Sequence, residues 1–125
     1  MQGLADEGHD FVLVAHSQGN LFVNVANDGL RQSRPDTKAG VVHVAPASPT
    51  LRGPHVLAEI DEVINGLRNF GGWTVPDINI WLRGRGGDPS GHTLVGTYLD
   101  GTRIARSYVR DMINSALEQV APASP

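Results

Sequence analysis

The segment Ala15-His16-Ser17-Gln18-Gly19 has the residue types that an activated serine needs. Small residues stand two positions before and two positions after Ser17, as a sharp turn from a strand into a helix requires. Such a turn exposes the serine Oγ, and the backbone N–H of Gln18 at the helix start can stabilise a developing oxyanion. The segment therefore predicts a nucleophile elbow. The alternative is that Ser17 only caps the helix.

The neighbouring imidazole of His16 is not expected to act as the base, because adjacent side chains diverge at the end of a strand. We expect His16 to pack or form a hydrogen bond in the turn. With Ala15 in place of the usual first glycine, the elbow resembles that of lipase- and esterase-like members of the α/β-hydrolase superfamily. The resemblance implies a catalytic triad in the chain order serine, acid, histidine, with the acid after a later strand and the histidine in a late loop.

That order leaves three histidines after Ser17 as candidates for the base: His43, His55 and His92. His43 lies in an apolar run and is interpreted as a hydrogen-bonded core residue, while His55 opens a predicted strand. His92 follows a glycine-rich loop and precedes a segment similar to the one that leads into a Tyr-Leu pair in such hydrolases. His92 is therefore the predicted general base, and a surface histidine without chemistry is the alternative.

The resemblance also points to an acid, Asp61, since the segment 61–65 looks like the family segment in which an aspartate after a strand opens a helix. Asp61 would then accept the Nδ1–H of His92 and stabilise the imidazolium. A plain helix N-cap is the alternative role. The rival carboxylates are Glu59, Glu62 and Asp88.

Asp88 stands four residues before His92 and could pair with it locally, or bind a metal ion with it. Two such ligands without a third make a poor metal site. We therefore expect no metal, and the predicted chemistry needs no cofactor.

The elements that must position these residues indicate an α/β fold with a short, mostly parallel sheet flanked by helices. Residues 11–15 and 41–45 are continuous apolar runs typical of strands buried on both faces. Between them, a helix is predicted to end near Gly29. Its apolar face is predicted to hold Leu21, Phe22, Val25, Ala26 and Leu30.

Beyond the second strand, regular structure alternates with loops. The pattern predicts a third strand over 55–60, a short helix closed by Asn69 and Gly71, and a strand within 73–82 limited by Pro76. Residues 83–91 contain four glycines and a proline and predict a surface loop. An amphipathic helix started by Thr102 is predicted to reach Val120.

Composition limits the partners. A chain of 125 residues with 40% hydrophobic and 18% charged residues is expected to fold as one domain. A net charge of −3 gives no basic field for nucleic acid or an anionic membrane. No apolar run approaches the length of a membrane span, and no targeting signal marks a compartment. The absence of cysteine excludes a thiolate nucleophile and disulfides.

The resemblance covers only the second half of the hydrolase fold, residues 1–120, with 121–125 as a disordered tail. A full domain of that superfamily has several strands before the elbow, whereas ten residues precede Phe11 here. The second oxyanion donor and the neighbour of the first strand are then missing. We therefore expect either a piece of a longer protein or self-association through the open edge of the first strand.

The resemblance implies a serine hydrolase that cleaves small-molecule or lipid esters of carboxylic acids through an acyl-enzyme on Ser17. A catalytically silent fragment or binding module is one alternative. An acyltransferase is another, because the same acyl-enzyme can react with acceptors other than water.

Overall fold

The computed structural model describes residues 2–72 and 74–121. Trp73 and most of the predicted tail, residues 122–125, lie outside the described residues. The elements in chain order are α1 (Gln2–Asp6), β1 (Phe11–His16), α2 (Gly19–Ser33), β2 (Ala39–Val44), β3 (His55–Val56), α3 (Glu62–Asn69), a π-helix (Leu94–Tyr98) and α4 (Ile104–Val120).

The three strands form one parallel sheet in the order β1-β2-β3. The register pairs Ala15 with His43 and His43 with His55. This small sheet with its helices confirms the predicted α/β class. Since β2 is the central strand, its residues 41–44 are buried. Within the described residues β1 pairs on one side only, and self-association through its free edge stays a prediction.

The core lies between the sheet and the C-terminal helix α4. A Cβ on Gly40 would come 3.0 Å from the Cβ of Ala116, so glycine allows α4 to pack closely on β2. The buried cluster continues toward α3 and the π-helix. Its largest apolar members besides the β2 residues are Val56, Leu57, Ile64, Ile80, Tyr98 and Val109. These contacts fix the positions of the loops that follow β1 and β3.

The helix after the elbow corrects two predictions. α2 continues to Ser33 instead of ending near Gly29. Its buried residues are Asn20, Asn24, Asn27 and Leu30, whereas Phe22 and Val25, assigned to the apolar face, are 75% and 73% exposed. The amides fix this orientation, because Asn20 bonds to the carbonyl of Val44 and Asn24 to the carbonyl of Thr50 after β2.

The third strand is shorter than predicted, since β3 contains only His55 and Val56. The side chain of Asn79 provides the physical reason. It accepts from the backbone N–H of Leu57 and donates to the carbonyl of His55, groups that a neighbouring strand would otherwise pair. In the described residues from 74 to 82, strand pairing is limited to one parallel bridge between Ala58 and Ile80.

The last helix has its N-cap one residue later than predicted. Its N-cap is Arg103, and the hydroxyl of Thr102 bonds instead to the carboxylate of Asp100 at 2.5 Å. The loop predicted over 83–91 is observed, apart from one bridge between Arg85 and Asp88. None of the helices described is long and apolar enough to cross a membrane.

Candidate active site

Ser17 occupies a strained turn between β1 and α2. Its φ of 56° lies in the left-handed region, which residues other than glycine adopt at a cost of about 1–3 kcal/mol. The backbone N–H of Ser17 donates to the carbonyl of Val44 at 3.1 Å. A Cβ on Gly19 would lie 3.9 Å from that of Ala15, so the two small residues of the motif meet across the turn.

The hydroxyl of Ser17 does not cap the helix. The N-cap position belongs to Gln18, whose side chain makes no capping bond. The Oγ of Ser17 lies instead 2.8 Å from Nε2 of His92. The alternative interpretation of Ser17 as an N-cap is therefore wrong.

His92 links the serine to the carboxylate of Asp61. Its Nδ1 lies 2.8 Å from Oδ2 and 3.0 Å from Oδ1 of Asp61. A carboxylate accepts only, so Nδ1 carries the hydrogen and Nε2 is left to accept the proton of Ser17. The His92 side chain is 13% exposed and that of Asp61 is fully buried. The structure therefore brings all three predicted residues into one hydrogen-bonded chain.

Asp61 makes the hydrogen bonds that each of the two roles left open by the sequence would require. As the N-cap of α3, it accepts from the backbone N–H of Ile64 at 3.0 Å through Oδ1. Its Oδ2 accepts from the hydroxyl of Tyr98 at 2.7 Å, in addition to Nδ1 of His92. A buried carboxylate needs such donors, because it has lost its hydration.

Tyr98 was not predicted as a site residue. It ends the π-helix, is fully buried, and accepts from the backbone N–H of Ala58 at 3.2 Å while it donates to Asp61. Burial and the neighbouring charge of Asp61 raise the pKa of Tyr98 above its ordinary value, so the hydroxyl keeps the proton that it donates. The only sequence signal was the Tyr-Leu pair that follows His92, to which no role was assigned.

His16 contacts His92, which the sequence did not predict. Its Nε2 lies 2.6 Å from the backbone carbonyl of His92, and the two ring centroids are 4.7 Å apart. Since a carbonyl only accepts, Nε2 of His16 is the donor. Burial lowers the pKa of His16, which favours the neutral ring beside His92. His16 therefore bonds to the backbone of His92 and not to the hydroxyl of Ser17.

The loop before His92 is fastened to the start of α3. Gly91 has a φ of 61°, and a Cβ there would lie 2.2 Å from the carbonyl oxygen of Ile60. The carbonyl of Ser90 accepts from the N–H of Glu62 at 2.8 Å. Only glycine fits this contact, which places His92 directly against the N-cap of α3.

The rival carboxylates make other contacts. Asp88 is buried and bonds through Oδ2 to Nη1 of Arg103 at 2.7 Å and to Oγ1 of Thr97 at 2.6 Å. Glu59 accepts from the N–H of Leu82, and Glu62 is exposed. None of the three bonds to the His92 ring, and across 2–72 and 74–121 no group of three or more potential ligands could hold a metal ion.

The predicted oxyanion donor is free. Within the described part of the chain, no hydrogen bond uses the backbone N–H of Gln18, which precedes the first residue of α2. The positive end of the helix dipole adds to its attraction for negative charge.

Comparisons with known proteins leave the site to be interpreted from its own geometry. No protein-family model matches the chain, and neither a curated protein nor a solved structure matches it.

Proposed function

We propose that this protein is a serine hydrolase that cleaves carboxylic esters through an acyl-enzyme on Ser17. The observation that carries the proposal is the continuous chain from Tyr98 through Asp61 and His92 to Ser17, with hydrogen bonds of 2.7, 2.8 and 2.8 Å. These groups come from the elbow, the start of α3, a late loop and the π-helix. Their order and polarity match what proton transfer from a serine requires.

In the proposed acylation step, Ser17 Oγ attacks the ester carbonyl carbon while Nε2 of His92 takes its proton. The carbonyl oxygen becomes an oxyanion, which the N–H of Gln18 stabilises. The imidazolium is stabilised by Asp61. Collapse of the tetrahedral intermediate breaks the ester C–O bond, and His92 returns the proton to the leaving alkoxide, which departs as an alcohol. Water, activated by His92, then attacks the acyl-enzyme and releases the acid and free Ser17.

Backbone strain at Ser17 supports a functional interpretation of this cluster. A residue other than glycine, such as Ser17, keeps a positive φ only where the surrounding structure enforces it. Such residues concentrate at active sites. An unstrained capping residue at the start of α2 would make the fold more stable. The turn instead directs Oγ of Ser17 to His92, which adds a single hydrogen bond to stability.

The test is labelling with a fluorophosphonate, followed by mass spectrometry of the modified peptide. We expect modification of Ser17 in the wild type and none in Ser17→Ala. In His92→Ala the labelling rate should fall by at least about 10³-fold. Ser115→Ala, at an exposed position of α4, is the matched control and should label like the wild type. A folded wild-type chain that does not react would contradict the proposal and favour a silent binding module.

Acyl transfer remains an alternative outcome at the same serine. Hydrolysis and transfer share the acyl-enzyme and differ only in the acceptor. Turnover of an ester with added alcohols or thiols, followed by product analysis, separates them. Free acid as the main product supports hydrolysis.

A further inference from the structure

Asn20 lies fully buried in the first turn of α2, directly behind the nucleophile. Its Nδ2 donates to the carbonyl of Ser17 at 2.8 Å and to that of Val44 at 3.2 Å. One amide group thus joins the nucleophile to the last residue of the neighbouring strand. The serine hydrolase mechanism does not use Asn20 at any step.

The orientation of this amide is set by His43 in β2. The backbone N–H of Arg52 donates to Nε2 of His43 at 2.9 Å, so Nε2 must be the unprotonated nitrogen of a neutral ring. Nδ1 then carries the hydrogen and donates to Oδ1 of Asn20 at 2.7 Å. Oδ1 is therefore held toward His43, and Nδ2 can only point at Ser17 and Val44. Burial, followed by the nearby charges of His55 and Arg52, lowers the pKa of His43 to about 4, in agreement with a neutral ring.

The Ser17 backbone needs this restraint. With φ at 56°, Ser17 holds a conformation that it would not keep without neighbours to enforce it. Its carbonyl also accepts from the backbone N–H groups of Asn20 at 3.1 Å and Ala47 at 3.2 Å. The side-chain bond at 2.8 Å is the shortest of the three. Through Nδ1 of His43 and the carbonyl of Val44, Asn20 links Ser17 to β2, in addition to the direct bond from the Ser17 N–H to Val44.

We propose that Asn20, oriented by His43, is a positioning residue that holds the Ser17 backbone so that Oγ meets Nε2 of His92. The inference rests on the proposed serine hydrolase function. A displacement of about 1 Å at a reacting atom can lower a rate by about 10²-fold, so loss of this amide should act on the chemical step.

The decisive variant is Asn20→Asp, which keeps the shape but replaces the donor with an acceptor facing two carbonyls. We expect the fluorophosphonate labelling rate and kcat to fall by about 10²-fold, with KM within about twofold of wild type. Asn24→Ala is the matched control on the same buried face, since Asn24 bonds to Ser48 and Thr50 but not to Ser17. That variant should lose stability and keep kcat.

A pair of changes at His43 separates positioning from packing. Asn places an amide nitrogen near the position of Nδ1, so His43→Asn should preserve donation to Asn20 and recover most of the rate that His43→Leu loses. Equal rates in the two variants would overturn the inference.

A second measurement needs no variant to fold. In protein labelled with ¹⁵N-histidine, the proton-coupled nitrogen of His43 should be Nδ1, and observation of the Nε2–H form would overturn the inference. Failure of the proposed function is distinct, because an unreactive wild-type Ser17 would refute that function whatever the His43 tautomer is. A reactive wild type with an equally reactive, folded Asn20→Asp would refute the inference alone.

Discussion

Two buried aspartates, Asp61 and Asp88, precede His92 in the sequence, and their environments differ. Asp61 receives hydrogen bonds from a backbone N–H, a tyrosine hydroxyl and the His92 ring. Asp88 is neutralised by the guanidinium of Arg103, with both side chains at most 5% exposed. Both carboxylates are satisfied, but only Asp61 faces a group that can gain a proton.

This difference suggests separate roles for the two residues: Asp61 would position His92, and Asp88 supports the loop before His92. An ion pair with Arg103 leaves Asp88 little attraction to offer a second cation, whereas the uncharged donors around Asp61 leave its charge available to an imidazolium. Asp88 instead fastens the loop before His92 to the π-helix and to the start of α4 through Thr97 and Arg103. We expect activity to depend on Asp61 and stability to depend on Asp88.

The largest expected effect is on catalysis in Asp61→Asn. An amide in this position no longer stabilises the imidazolium and favours the wrong His92 tautomer, so kcat with an activated ester should fall by about 10⁴-fold. The measurement is steady-state hydrolysis by a chain shown to be folded by circular dichroism. A loss below tenfold would mean that Asp61 is only the N-cap of α3.

The next effect is on stability in Asp88→Asn. Removing one partner leaves the buried guanidinium of Arg103 without a counter-charge, which should lower the free energy of unfolding by about 3–5 kcal/mol. Urea denaturation measures this, and kcat of the folded fraction should stay within a few-fold of wild type. If Asp88→Asn abolished turnover without destabilising the chain, the assignment of the two aspartates would be reversed.

The two aspartates also show what the sequence could predict. Ser17, Asp61 and His92 could be predicted as a group because the family resemblance implied the chain order serine, acid, histidine. The structure brings their three side chains into contact. Asp88 could not be ruled out, since its partner Arg103 is 15 residues away, beyond the π-helix. Local sequence spacing does not reveal such a pair.

The region around Ser17 was harder to predict. The apolar periodicity of α2 favoured Phe22 and Val25 as buried residues, yet the elbow turns Asn20 and Asn24 inward to polar groups of β2 and its following loop. Tertiary hydrogen bonds decided the helix orientation there, against hydrophobic periodicity. Tyr98 and the contact of His16 with His92 were missed for the same reason, since both depend on distant partners.

Lowering the pH should reduce the free energy of unfolding through the protonation of His43. It should not change how Asp61 and Asp88 differ. The pKa of His43 is lowered to about 4, so the unfolded chain, with a value near 6.5, takes up the proton first. Stability is therefore fully present above about pH 6.5 and declines toward about pH 4, by roughly 2–3 kcal/mol. Urea midpoints at pH 7 and pH 5 measure the decline. It should flatten in His43→Asn, and an unchanged slope would exclude His43 as the cause.

The smallest expected effects come from two adjacent residues, Thr97 and Tyr98, whose hydroxyl groups donate to different aspartates. Variants at these two positions therefore test the difference between Asp61 and Asp88 most directly. Tyr98→Phe removes the donor to Asp61, and Thr97→Val removes the donor to Asp88. Each loss of a buried hydrogen bond should lower the free energy of unfolding by about 1–3 kcal/mol. Only Tyr98→Phe should also lower kcat, by about tenfold, since a less restrained Asp61 orients His92 less well. Equal kcat in the two variants would show that Tyr98 supports the fold alone.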